Sequence, residues 1–163
     1  MLKNKYKIIK NFLEISFFKQ IQNFLFSEEC PWYYKKNMTT DDSYFFNFCF
    51  YNYSTPQTPM FDSMMRPVVN LLECNMLSEI RANLVLKKEK KYCSNFHVDR
   101  SFPCKTAILY MNTCNGYTLL DEKEKIKILC EENKLLIFDT NIKHAMVSQT
   151  DTERRIVINF NYI

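Results

Sequence analysis

Residues 105–112 read Lys105-Thr106-Ala107-Ile108-Leu109-Tyr110-Met111-Asn112, an apolar run closed at both ends by polar residues. Its length and its β-branched and aromatic content predict a strand, with Thr106, Ile108, Tyr110 and Asn112 sharing one face. The same pattern recurs toward the C-terminus over Tyr117–Leu120, Lys125–Leu129, Lys134–Phe138, Ile142–Val147 and Arg155–Tyr162. Toward the N-terminus it extends through Phe96–Asp99 to Glu79–Leu86. About eight short strands separated by polar turns predict two packed sheets, a barrel or jelly roll.

The residues before Ser78 have a different character. Tyr6–Leu13 alternates weakly and predicts a short opening strand. Phe17, Phe18, Ile21, Phe24 and Leu25 recur at helical spacing, with Ser16 as the expected N-cap and a stop near Glu29. Trp32-Tyr33-Tyr34 and Tyr44–Tyr53 are aromatic-rich and predict strands. Pro56 and Pro59 open a second helix, whose apolar face carries Phe61, Met64, Met65, Val68, Leu71 and Leu72, with a kink expected at Pro67. The expected fold is mainly β with flanking helices. A single domain, 1–163, divides into a helical and aromatic support region (1–77) and a jelly-roll core (78–163).

Composition narrows the function. An apolar fraction of 47% excludes a disordered tail. A net charge of +4 is too mild to argue for a nucleic-acid partner. The basic start, Met1-Leu2-Lys3-Asn4-Lys5, is not followed by an apolar segment of signal length, because Asn11, Glu14 and Lys19 interrupt it. No stretch approaches the roughly 20 apolar residues that span a bilayer. Seven cysteines, an odd number with no C-x-x-C pair, fit reduced thiols in a cytoplasm better than a disulfide framework or zinc ribbon. Gly116 is the only glycine, so turns must rely on Asn, Asp, Ser and Pro.

Only two histidines occur, both in the strand-rich half. His97 precedes Asp99 by two residues, and on a strand such residues face the same way. His144 begins a late strand. Two imidazoles and one carboxylate are the donors of a facial triad that leaves metal positions open. His-x-Asp is also common by chance, and a lone histidine on a strand is usually structural, so the triad depends on its surroundings.

Those surroundings resemble the 2-oxoglutarate/Fe(II) oxygenases, in particular the prolyl-hydroxylase-like branch with its small phage and bacterial members. The segments that carry the resemblance run in order: His97-Val98-Asp99, Thr106 to Asn112, Asn115-Gly116-Tyr117-Thr118, Leu136-Ile137-Phe138-Asp139 leading to His144, and Arg155 to Asn161. The resemblance implies a double-stranded β-helix (a cupin-like jelly roll) buttressed by N-terminal helices. It implies Fe(II) on His97, Asp99 and His144, with 2-oxoglutarate and O₂ as co-substrates and ascorbate as a candidate reductant. The product set would be a hydroxylated C–H bond, succinate and CO₂. The retained carboxylate, Asp99, favours hydroxylation over halogenation. Gly116 is expected in a turn, where Asn115 replaces the family's first glycine.

The resemblance also implies an Arg on the last core strand for the distal carboxylate of 2-oxoglutarate. A planar guanidinium suits that role. Strand alternation groups Arg154 with Ile156, Ile158 and Phe160, and Arg155 with Val157, Asn159 and Asn161, so Arg155 is chosen and Arg154 is the alternative. Tyr110 is the expected second anchor, with Thr106 and Asn159 as lesser candidates and Asn83 within reach. Lys87, Lys88, Lys90 and Lys91, and Arg100-Ser101-Phe102-Pro103, are candidate rim segments. They leave the substrate open among peptide, nucleic acid and small molecule, with no membrane and no obligatory protein partner. The competing classes are a non-catalytic cupin-like binding protein, an aromatic docking module and a zinc hydrolase, the last lacking an obvious general base.

Overall fold

The computed structural model describes residues 5–36 and 44–163. Most of the basic N-terminal stretch lies outside the described residues. Strand β1 (Tyr6–Ile9) is followed by helix α1 (Ile15–Phe26), strands β2 (Tyr33–Lys36), β3 (Tyr44–Asn52) and β4 (Thr55–Pro56), then a π-helical turn (Phe61–Met65) running into helix α2 (Arg66–Leu71). The remaining strands are β5 (Leu77–Leu86), β6 (Lys105–Tyr110), β7 (Cys114–Asp121), β8 (Lys125–Cys130), β9 (Lys134–Asp139), β10 (His144–Val147) and β11 (Arg154–Tyr162).

Both helices differ in detail from expectation. The cap of α1 is Glu14, not Ser16. The Glu14 carboxylate accepts from Ser16 N (2.9 Å) and Phe17 N (3.2 Å), and the Ser16 hydroxyl turns onto the same carboxylate. The helix ends at Phe26, where the Ser27 hydroxyl bonds Phe24 O at 2.8 Å and competes with continuation. In the second helical segment Pro67 cannot donate a backbone N–H to the turn before it. The chain answers with a wide π turn ahead of a fresh α turn.

All strand pairs are antiparallel. The major sheet runs β1-β9-β6-β11-β5-β3-β2, with β4 added beside β3, and the minor sheet runs β10-β7-β8. Strands from the N-terminal part therefore belong to the major sheet itself. The sheet has two different faces. On one, Ile80, Ala82 and Leu84 of β5, Ala107 and Leu109 of β6, and Ile156, Ile158 and Phe160 of β11 pack against Phe18, Ile21 and Leu25 of α1 and Val68 of α2. The other face looks at the minor sheet. A second core there joins Ile108, Tyr110, Leu136, Phe138 and Val157 to Leu120, Ile128 and Cys130. The cavity lies beside this core and shares Ile108 and Val157 with it. No helix among the described residues is long and apolar enough to cross a membrane.

Candidate metal centre

The segment expected as a strand over Phe96–Asp99 is not one. Residues 92–97 lie beside β10 through two isolated bridges, Cys93 with Val147 and His97 with His144. Side-chain hydroxyls interrupt the ladder: Ser94 Oγ takes the Met146 N–H (3.0 Å), and Ser148 Oγ takes the Tyr92 N–H (2.9 Å). Such local bonds compete with regular pairing. At the bridge that matters, His97 N donates to His144 O (3.0 Å) and His144 N to His97 O (2.9 Å). The two imidazoles are thereby brought to 4.5 Å between ring centroids.

Asp99 completes the group. Its Oδ1 lies 3.7 Å from His97 Nε2 and 3.4 Å from His144 Nε2. One ligand atom from each residue can be chosen with all of them within 4.8 Å of one another. Donors held about 2.1 Å from one ion on adjacent positions lie about 3 Å apart, so a small inward adjustment suffices. Oδ2 is occupied elsewhere, accepting from Asn161 Nδ2 (3.1 Å) and Thr106 Oγ1 (3.3 Å). Burial pushes the Asp99 carboxyl up, but hydrogen bonding and charge from His144, with Asn161 and His97, hold it well below the usual carboxylate range. Burial, reinforced by His144, pulls the His97 imidazole below its ordinary value. His97 Nδ1 lies 3.1 Å from Asn95 O. Donation there puts the proton on Nδ1 and leaves the Nε2 lone pair facing Asp99. His144 Nδ1 is buried and has no partner among the described residues. A metal on its Nε2 would set that tautomer. The donor set therefore fits a metal ion.

From this centre a cavity of about 320 Å³ runs between the sheets. Its floor alternates along β11 as Arg155, Val157, Asn159 and Asn161, and along β5 as Glu79, Arg81, Asn83 and Val85. At the end away from Asn161, the buried Arg155 guanidinium donates to Cys130 Sγ (Nε, 2.9 Å) and Thr118 Oγ1 (Nη2, 3.4 Å). A hydrogen bond with Cys114 and the charge of Arg155 together pull the Cys130 thiol below its ordinary value, against its burial.

No protein-family model matches the chain, and no curated protein matches it either. Solved structures do. A 2OG-Fe(II) oxygenase family oxidoreductase from Burkholderia pseudomallei superposes with a TM-score of 0.75 at 7% identity, covering 98% of this chain and 85% of its own. The epimerase SnoN of nogalamycin biosynthesis, described as non-heme and alpha-ketoglutarate dependent, gives 0.70 at 11%, covering 98% and 78%. A prolyl hydroxylase from Trichoplax adhaerens, in complex with a hypoxia inducible factor peptide fragment, gives 0.66 at 16%, covering 99% and 84%. The chain has the 2OG-Fe(II) oxygenase fold.

Within this oxygenase fold the remaining expected residues are distributed unevenly. Arg155 and Asn159 line the cavity, and Arg154 does not. Arg154 points to the helix layer, where it donates to Phe26 O (3.4 Å) and lies over the Phe26 ring. Tyr110 is fully buried behind the wall, its hydroxyl donating to Thr118 Oγ1 at 2.8 Å, so Thr118 takes the wall position expected of Tyr110. Thr106 holds Asp99 and does not line the cavity. Asn161 is the residue passed over: it shares the Arg155 face, which was the available signal, yet its bond to Asp99 crosses a long sequence gap. Of the four lysines only Lys88 lines the cavity, beside Tyr44, and of residues 100–103 only Arg100 does.

Gly116 also departs from expectation. It lies inside β7, at a bulge between Cys114 and Tyr117, not in a turn, and neither it nor Asn115 has positive φ. Space is the reason for glycine. A Cβ there would stand 3.0 Å from Val147 O, 3.1 Å from Arg155 Cδ and 3.2 Å from Gln149 N.

Proposed function

We propose that this chain is an Fe(II)- and 2-oxoglutarate-dependent oxygenase that hydroxylates a C–H bond of a bound substrate, releasing succinate and CO₂. The observation that carries the reading is the arrangement of one cavity: His97, Asp99 and His144 converge at one end, and a buried arginine, Arg155, closes the other. Ferrous iron with 2-oxoglutarate and O₂ supplies the oxidising chemistry when bound. The protein's part is to hold and orient. Asn161 and Thr106 hold Asp99 Oδ2 so that Oδ1 stays turned toward the histidines. Asn95 O holds the His97 proton on Nδ1, so that Nε2 is free to ligate.

Arg155 and Thr118 receive the distal carboxylate of 2-oxoglutarate, and Tyr110 orients the Thr118 hydroxyl from behind. Val157 and Ile108 give the co-substrate's methylene groups an apolar bed that excludes water. Seven unpaired cysteines fit a reducing compartment such as the cytoplasm, which also keeps iron ferrous.

The test is anaerobic addition of Fe(II) and 2-oxoglutarate to the purified protein. A visible metal-to-ligand charge-transfer band should appear, then vanish on exposure to O₂ as succinate accumulates. Absence of the band in wild type, or its survival in His97→Ala, would overturn the reading. Arg155→Ala should raise the 2-oxoglutarate requirement by about tenfold or more, as loss of a charge-assisted pair does, while Arg154→Ala leaves it unchanged.

A further inference from the structure

Two of the free cysteines face each other across the minor sheet. Cys114 opens β7, Cys130 closes β8, and they are direct partners at the last rung of that ladder, set off from the other pairs by the bulge before Tyr117. Opposed residues of an antiparallel pair lie about 4.5–5.5 Å apart at Cα, within the span of a disulfide. The bulge lets this rung adjust without disturbing the remaining pairs.

The same two thiols stand against the arginine end of the cavity. Arg155 Nε donates to Cys130 Sγ at 2.9 Å while Nη2 reaches Thr118, and Arg155 and Thr118 both line the cavity. The Cys114 thiol also donates to Cys130, and with the charges of Arg155 and the buried Lys134 it favours the Cys130 thiolate against the cost of burial. Cys114 itself is pushed up and keeps its proton. Burial pushes the Cys30, Cys49, Cys74, Cys93 and Cys104 thiols up as well. The thiolate is the reactive form. The fold thus concentrates nucleophilicity on Cys130 and sets a second thiol beside it. Holding Arg155 in place needs one acceptor, and a pair of opposed thiols is more than that need.

We propose that Cys114 and Cys130 form a redox-active dithiol that a hydroperoxide closes to a disulfide, and that closure frees Arg155 to bind a carboxylate more tightly. The Cys130 sulfur attacks one oxygen of H₂O₂, the O–O bond breaks, and hydroxide leaves and takes up a proton. The Cys114 sulfur then displaces the hydroxyl now on Cys130, and its own proton leaves with that oxygen as water. Two thiols lose two electrons and two protons, and the peroxide is reduced to two waters. The cavity is the route in, since Arg155 lines it and touches Cys130. The effect on Arg155 rests on the oxygenase reading of the cavity; the disulfide does not. A thiolate and the distal carboxylate of 2-oxoglutarate are two anions competing for one buried guanidinium, whereas a disulfide carries no charge. The coupling is reciprocal, so a bound co-substrate protects Cys130 from oxidation.

The test treats Mn(II)-loaded protein, free of the radicals that ferrous iron makes from peroxide, with hydrogen peroxide and maps disulfides by mass spectrometry of non-reduced tryptic peptides. The first bond formed should join Cys114 to Cys130 and reopen with dithiothreitol, while the other five cysteines stay reduced. Cys114→Ser should stop the reaction at a sulfenic acid on Cys130, trapped by dimedone. Saturation with N-oxalylglycine, an inert 2-oxoglutarate analogue, should slow oxidation by about tenfold, and calorimetry should find the oxidised protein binding it about tenfold more tightly than the reduced. A first disulfide elsewhere, or none between these two cysteines, overturns the dithiol. Equal or weaker binding of N-oxalylglycine by the oxidised protein overturns the release of Arg155 alone. Failure of N-oxalylglycine to bind either form overturns the oxygenase reading, and with it the effect on Arg155, while the disulfide is judged by its own map.

Discussion

At the scale of single residues, the cavity's inner end is built by close approach. Gly116 lets β7 pass the Val147 carbonyl and leaves room for the stem of Arg155, whose head bonds Thr118 and Cys130. Gly116→Ala forces the Arg155 stem or the Val147 backbone to move by a few tenths of an ångström. Overpacking of this kind costs about 1–3 kcal/mol. We expect N-oxalylglycine affinity to fall about tenfold, the equivalent of about 1.4 kcal/mol, while metal affinity holds, and calorimetry on the two ligands separately reads both. Equal losses for both ligands would place the strain elsewhere. The need for glycine here was only half legible from sequence. A lone glycine signals a constrained position, but whether the constraint is φ or space depends on β10 and β11, which meet β7 only in the folded chain. Tyr110 shows the same limit: alternation gave it the correct face, yet its depth behind Thr118 is set by the minor sheet.

At the scale of elements, strand alternation was the reliable guide. It separated Arg155 from Arg154, because on β11 one parity packs on the helices and the other lines the cavity. It was misleading around His97. There His97 and Asp99 share a site without a strand, since Ser94 and Ser148 hydroxyls take the ladder's place. A serine's preference for backbone partners is visible in sequence, but which strand it will interrupt is not. Turns show the expected shortage of glycine. Tyr53 and Ser54, the two residues between β3 and β4, both have positive φ (50° and 60°), a type I′ geometry normally taken by Asn-Gly. Replacing the pair by Asn-Gly should raise unfolding free energy by about 1 kcal/mol, measured by chemical denaturation. No change would mean that the β3–β4 turn opens before the global transition.

At the scale of the whole molecule, three layers divide the labour: helices, a major sheet with one structural and one chemical face, and a minor sheet that closes the cavity. The candidate ligands come from two places, the connection between β5 and β6 and the start of β10. That connection meets β10 at two isolated bridges and through backbone bonds at Ser94 and His97. A metal bridging them should fasten it. At 100-fold excess over its dissociation constant, a redox-inert divalent ion should stabilise the fold by about 2.7 kcal/mol. The rise in melting temperature would be roughly 5–10 °C. Hydrogen exchange over 87–104 should slow on loading and recover with a chelator, and Asp99→Ala should abolish both effects. An exchange pattern unchanged by metal would remove the bridging role. The two-faced major sheet also shapes what variation this chain can accept. Within β11 every residue belongs alternately to the helix-packed core and to the cavity. A one-codon insertion or deletion there exchanges the two sets at a stroke, burying Arg155 and Asn161 among the helices and turning Ile156 and Phe160 into the cavity. Descendants of this sequence should therefore differ in β11 by substitution and never by length, while changes of length collect in the turns around it.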